Sequence, residues 1–175
     1  MSNRFIIFSC LFACTVSVFW GCGGEQLPPG MPRLYPATLT VTQDGKPLEG
    51  ASIILTNVDP SVSWSAGGAT DQNGVLRLRT MGRYDGVPAG TYRVAVSKIE
   101  SPNLTLPDEM PSDPEGVREY NRILREIENN TFYVVDPKFS LGNSELEVEI
   151  SPSNLRVTVD VSPAVHIRLP PPSRG

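Results

Sequence analysis

The chain has 175 residues, of which 39% are hydrophobic and 19% charged, enough for one ordinary domain with a modest core. Its 15 glycines and 17 prolines favour turns and linkers over helices. A formal net charge of -4 argues against nucleic-acid binding, which depends on neutralising phosphates. The only histidine, His166, falls on the polar phase of a strand pattern, and no catalytic triad or zinc ligand set can be assembled around it. We therefore predict no enzyme activity, no metal and no cofactor.

Residues 1–21 have the organisation of an export signal. Arg4 lies in a short cationic start, and an apolar run extends from Phe5 to Trp20. That run is shorter than the ~20 residues that a membrane-spanning helix requires, and its length is normal for a signal peptide. A retained signal-anchor is the alternative.

Cys22 follows this apolar run after a single glycine, Gly21, and no cysteine occurs later in the chain. An exported domain with a single cysteine cannot form an internal disulfide. The Gly21-Cys22 pair resembles the lipobox of bacterial lipoproteins, in which a small residue precedes a cysteine. The resemblance implies that the Cys22 thiol is acylated, that the signal is cut just before it, and that the lipid anchors the protein to a membrane of the bacterial cell envelope. Plain secretion by a signal peptidase and a free thiol at Cys22 are the alternatives.

Segments rich in proline and glycine flank the predicted domain. Residues 22–36 show no periodic apolar pattern and are predicted to be a flexible tether that lifts the domain off a membrane. Residues 170–175 are predicted to be a disordered tail. The domain itself is expected to span residues 37–169.

Alternating apolar and polar residues dominate that domain. The predicted strands cover 37–42, 51–57, 75–79, 92–97, 145–150, 155–161 and 165–169, with 132–135 as a weaker eighth. Such alternation gives each strand one buried and one solvated face, as in antiparallel sheets. The sequence therefore predicts a mainly β fold, an antiparallel two-sheet sandwich of seven to eight strands.

One helix interrupts the strands, inside a long insertion at about 101–131. Asp113 is the expected N-cap and Pro114 the first-turn residue. Val117, Tyr120, Ile123, Leu124 and Ile127 then recur at helical spacing, opposite a charged face. This apolar stripe is expected to pack on the sandwich; a partner-binding surface is the alternative.

Three turn motifs occur in a specific order at 45–53, 70–76 and 88–94, reading G-x-P-L-x-G-A-x-I, T-D-x-N-G-x-L and P-A-G-x-Y-x-V. In this order they resemble the carboxypeptidase regulatory-like domain, a transthyretin-like, Ig-like sandwich, over about residues 37–99. The resemblance implies a structural or interaction module without catalysis. Asp71 and Asn73 also begin a calcium-loop pattern, but its twelfth position is Gly82 where a glutamate is required, so turn chemistry is the expected role.

Two functions from different classes follow. The first is a structural or protein-interaction module of the cell envelope. The second is a glycan-binding module that uses the loop aromatics Trp64 and Tyr84, since exposed aromatic planes often contact sugars. Trp64 folded back over the core is the expected arrangement, because large apolar surfaces gain from burial.

Overall fold

The computed structural model describes residues 27–170. In chain order its strands are β1 (Leu34–Tyr35), β2 (Thr38–Gln43), β3 (Lys46–Pro47), β4 (Ser52–Asn57), β5 (Ser65–Ala69), β6 (Val75–Arg77), β7 (Arg79–Thr80), β8 (Tyr84–Asp85), β9 (Val87–Pro88), β10 (Gly90–Ser97), β11 (Ile99–Glu100), β12 (Phe132–Tyr133), β13 (Glu147–Ile150), β14 (Arg156–Asp160) and β15 (Ile167–Arg168). The helix α1 (Pro114–Asn129) and a 3-10 turn (Pro137–Phe139) complete the described elements. The predicted fold class, a mainly β sandwich with one helical insertion, is confirmed.

Two sheets form the sandwich. The first has the order β13-β10-β4-β5-β7-β8, and the second has the order β14-β2-β3 with β6 also paired to β2. Strand β14 runs parallel to β2, from Arg156 opposite Thr38 to Asp160 opposite Thr42. The other strand pairs within residues 27–170 are antiparallel.

The core lies between the sheets, where the predicted alternation places it. In β2, Leu39 and Val41 are fully buried while the threonines between them are half-buried on the other face. The largest fully buried side chains include Tyr92, Leu39, Ile53, Leu55, Leu78 and Ile150. Burying each aliphatic side chain of this size contributes about 1.5–3 kcal/mol, so this layer dominates the stability of the domain.

Strands also form in segments that the sequence does not predict as strands. Strand β5, Ser65–Ala69, occupies a small-residue stretch that was predicted to be a loop. Its glycines lower strand propensity, but at Gly67 a Cβ would come within 2.1 Å of the Ile53 carbonyl oxygen, so the approach to β4 requires glycine. In addition, Leu34–Tyr35, inside the predicted tether, forms β1 and pairs with β9.

A three-stranded sheet, β11-β12-β15, closes the base of the insertion. Strands β11 and β12 pair with each other on either side of residues 101–131, which is the predicted extent of the insertion. Gln43 ties this base to the sandwich, because its buried side chain donates to the Val134 carbonyl at 3.0 Å. The predicted export signal (1–21), Cys22 and all but the first residue of the predicted tail (170–175) lie outside the described residues.

Candidate functional site

The motif at 70–76 joins two strands through a buried threonine. Thr70 is buried, and its hydroxyl donates to the Leu48 carbonyl at 2.6 Å and accepts from the Ala51 N–H at 2.9 Å. Both backbone groups would otherwise lack partners inside the domain, at a cost of about 1–3 kcal/mol each. Thr70 therefore fixes the start of β4 to the end of β5.

The acidic residue of the same motif serves the turn that follows. Asp71 Oδ1 accepts from the backbone N–H groups of Asn73 and Val75, both at 2.9 Å. Gly74 has φ 69°, and a Cβ there would lie 2.6 Å from the Val41 carbonyl oxygen. The prediction that turn chemistry accounts for these residues is confirmed.

The motif at 88–94 forms a tyrosine corner, a feature of Ig-like sandwiches. Tyr92 is fully buried, and its hydroxyl donates to the Pro88 carbonyl at 2.9 Å. Burial raises the pKa of the Tyr92 phenol, and the hydrogen bond with Asn57 partly offsets this. Tyr92 therefore holds the entry of β10 in place and is not available for chemistry.

The titratable residues are dispersed over the surface. Within residues 27–170 no group of three or more histidine, cysteine or acidic residues has the arrangement of a metal site. His166 is exposed and stacks on Phe132, with ring centroids 3.8 Å apart. Every fully buried side-chain polar atom in this described part of the chain has a hydrogen-bond partner, so none marks a ligand pocket.

The two aromatic residues of the glycan hypothesis differ in exposure. Trp64 is half-buried and directly precedes β5. Tyr84, in β8, is only 8% exposed, and the Arg83 guanidinium lies 5.3 Å from its ring centroid. Tyr84 thus lacks the open ring face that sugar stacking requires, and the glycan hypothesis depends on Trp64 alone.

Helix α1 begins where the sequence predicts. The N-cap Asp113 accepts from the Gly116 N–H at 2.8 Å, and Pro114 is the first helical residue. At the other end, Thr131 donates to the Ile127 carbonyl at 2.7 Å, and Asn129 accepts from Arg168 of β15. Both helix ends are therefore fixed.

The apolar stripe of α1 is only partly covered by the rest of the domain. It consists of Val117, Tyr120, Ile123, Leu124 and Ile127, all of them half-buried. No residue of α1 is buried. The stripe, which the sequence predicts to pack on the sandwich, is thus partly covered and partly open to solvent, and the alternative, a partner-binding surface, stays a hypothesis.

The charged face of α1 is partly paired within itself. Arg122 forms a two-point contact with Glu119, at 2.6 and 2.9 Å, and a longer one with Glu126 at 3.5 Å. The hydrogen bond from Arg122 lowers the pKa of the Glu119 carboxyl. Arg118 and Arg125 are exposed and have no ion pair within the described residues. This face is solvated and stabilises the helix through neighbouring side chains.

A second apolar surface lies on the small sheet at the base of the insertion. Ile99 is opposite Tyr133, and Tyr133 is opposite Ile167, so the three side chains share one face. Ile99 is 48% exposed and Ile167 is 44% exposed. We call this set the base row. Sequence analysis missed it, because the three residues are far apart in the sequence and meet only through strand pairing.

Comparisons with known proteins assign no family. No protein family matches the chain. No curated protein matches it either. Among solved structures, it is similar to the crystal structure of a variant of BcpA, the major pilin subunit of Bacillus cereus, at 15% identity and a TM-score of 0.38. The match covers 71% of this chain and 29% of the pilin, so this chain spans less than a third of the pilin's length. A similarity of this size does not assign a function.

No helix within residues 27–170 is both long enough and apolar enough to cross a membrane.

Proposed function

We propose that this protein is an exported, lipid-anchored module of the bacterial cell envelope that acts through contact with other proteins and not through catalysis. The observation that carries the proposal is the apolar surface of the insertion. The stripe of α1 contains no buried residue, and Ile99 and Ile167 of the base row are about half exposed. Apolar side chains that stay together and remain partly or largely open to solvent are typical of interaction sites.

The distribution of polar groups also supports a non-catalytic module. Thr70, Asp71 and Tyr92, three polar residues of the motifs, bind backbone groups of the fold. A catalytic site needs nucleophile, base and positioning groups that converge in one cleft. These three residues instead hold turns and strand ends together, which is the role expected in a structural module.

The lipid anchor depends on Cys22, which follows the predicted export signal of residues 1–21. Mass spectrometry of the mature N-terminus tests it directly. A chain that begins at Cys22 and carries a diacylglycerol mass supports the anchor, and Cys22→Ser should shift the protein from the membrane to the soluble fraction. An unmodified Cys22, or a mature start elsewhere, would refute it.

The interaction surface is tested by site-specific photocrosslinking in intact envelopes. A photoreactive phenylalanine analogue at Tyr120, on the stripe of α1, should give a discrete higher-mass adduct. The same analogue at Thr91, exposed on β10, is the matched control and should give none. Equal labelling at both positions, or none at Tyr120, would contradict an interaction surface on the insertion.

A further inference from the structure

Strand β14 is an open edge of the second sheet. It pairs with β2 on one side, and within residues 27–170 no strand pairs with its other side. The strand is five residues long and contains no proline. Regular edges of this kind present unpaired backbone groups to other chains unless they are protected.

The hydrogen bonds between β14 and β2 show which backbone groups of β14 face outward. The Leu155 carbonyl accepts from the Thr38 N–H at 2.8 Å, and the Val161 N–H donates to the Thr42 carbonyl at 2.9 Å. Odd-numbered residues therefore direct their backbone groups toward β2. Because successive residues alternate in direction along a strand, those of Arg156, Thr158 and Asp160 point away from the sheet.

The side chains of the same three residues are self-complementary. Arg156, Thr158 and Asp160 are exposed on one face, whereas Val157 and Val159 are buried on the other. In an antiparallel pairing of β14 with itself about Thr158, each Arg156 lies opposite the partner copy's Asp160, and the two Thr158 residues lie opposite each other. Opposite charges and paired threonines are favourable cross-strand neighbours.

This register also matches the direction of the free backbone N–H and C=O groups of β14. The three outward-facing residues of one copy meet the three of the other as hydrogen-bonded pairs, each of which exchanges two N–H···O bonds. A two-fold axis perpendicular to the sheet keeps the buried valines of both copies on the same side. The second sheet would then continue from one molecule into the other.

The edge strand β13 of the first sheet differs from β14 in its charges. Strand β13, at the edge of the first sheet, places Glu147 and Glu149 outward on its exposed face. The same self-pairing about Val148 would set Glu147 against Glu149 of the second copy, twice. Like charges directly opposite are destabilising, so β13 is protected against the pairing that β14 permits.

We propose that β14 is a self-association edge, through which two copies of this chain form an antiparallel, two-fold dimer centred on Thr158. The proposal rests on the strand register and charges alone, and does not depend on the lipid anchor. It concerns a surface separate from α1 and the base row.

The test uses the full chain with Cys22→Ser, so that its outcome is independent of lipidation. Sedimentation equilibrium should show a monomer–dimer equilibrium, and Arg156→Asp should weaken it roughly 30-fold, because two opposite-charge pairs become like-charge pairs. The double variant Arg156→Asp with Asp160→Arg should restore it, since the swap recreates both pairs. Thermal melts confirm that each variant folds, which matters because Asp160 also accepts from Thr42 and Ser162.

Crosslinking at position 158 tests whether the two-fold axis of the dimer passes beside Thr158. With Thr158→Cys, oxidation or a short thiol-reactive linker should give a covalent dimer, because position 158 faces its own copy at about 5.5 Å between Cα atoms. Thr91→Cys, an exposed threonine on the first sheet, is the control and should stay at the background of the parent chain. A folded chain that remains monomeric, a dimer insensitive to Arg156→Asp, or equal crosslinking at both positions would overturn the proposal.

Discussion

The sandwich and its insertion treat apolar side chains in opposite ways. In the sandwich, both sheets bury alternate residues, and Leu39, Ile53 and Tyr92 are at most 1% exposed. In the insertion, the five apolar residues of α1 share a stripe and none is buried. The sandwich therefore completes its own core, whereas the insertion leaves its apolar stripe only half-buried.

The difference indicates where the stability of the domain resides. A 16-residue helix is marginal in water by itself, and most helical stability in proteins comes from packing an apolar face. Helix α1 is held at its ends, by Asp113 at the N-terminus and by the Asn129–Arg168 contact at the C-terminus. We therefore expect the insertion to be a separable unit that the sandwich supports and that contributes little to global stability.

Replacing one leucine in each region gives the largest expected contrast. Leu39→Ala removes a fully buried side chain from the core and should lower the free energy of unfolding by about 3 kcal/mol. Leu124→Ala, on the half-buried stripe of α1, should cost less than about 1 kcal/mol, because alanine favours the helix and little packing is lost. Urea unfolding followed by circular dichroism measures both.

The slope of the urea transition is the control for this pair. If it is unchanged in both variants, the difference in midpoint reports stability alone. A loss for Leu124→Ala as large as that for Leu39→Ala would mean that α1 belongs to the core, and the two-region description would fail.

The sandwich was predictable because its signals are local. The alternation at Leu39 and Val41 and the glycine of the turn at Gly74 each specify a conformation within a few residues. Strand β5 could not be predicted, because Gly67 is required by the backbone of β4, a neighbour in space that the sequence around it does not reveal. For the same reason, the parallel direction of β14 against β2 cannot be read from alternation.

The candidate surfaces were only partly predictable. The spacing of Val117, Tyr120 and Leu124 specifies a stripe, but whether a stripe is covered depends on where the helix lies. Ile99, Tyr133 and Ile167 are far apart in sequence and meet only through strand pairing. Tyr84, a candidate sugar-binding aromatic in the glycan hypothesis, lies in β8 and is buried. Contacts between residues distant in the sequence decided each of these cases.

Replacing one tyrosine in each region compares the two regions again and adds a dependence of stability on pH. Tyr92→Phe removes the buried hydrogen bond to the Pro88 carbonyl and should cost about 1–2 kcal/mol at neutral pH. Tyr120→Phe, on the stripe of α1, should change the free energy of unfolding by less than about 0.5 kcal/mol.

The raised pKa of Tyr92 sets the direction of the pH effect. Above about pH 10, the unfolded phenol loses its proton while the folded one retains it, so rising pH favours unfolding. The advantage of the parent chain over Tyr92→Phe should therefore be constant below this range and shrink above it. Chemical unfolding from pH 7 to 11 measures this, and a gap that widens in alkali would contradict the assignment.

The smallest contrast concerns two aspartates that accept backbone N–H groups. Asp71→Ala opens a turn that joins β5 to β6 and should lower global stability by about 1 kcal/mol. Asp113→Ala removes the N-cap of α1, also about 1 kcal/mol in local terms, yet global unfolding should hardly change, because a unit that opens separately does not report on the whole domain. Hydrogen exchange distinguishes the two: Asp113→Ala should accelerate exchange about fivefold within α1 while the amides of β2 and β10 keep their protection. Acceleration in those strands as well would show that the helix and the sandwich open together.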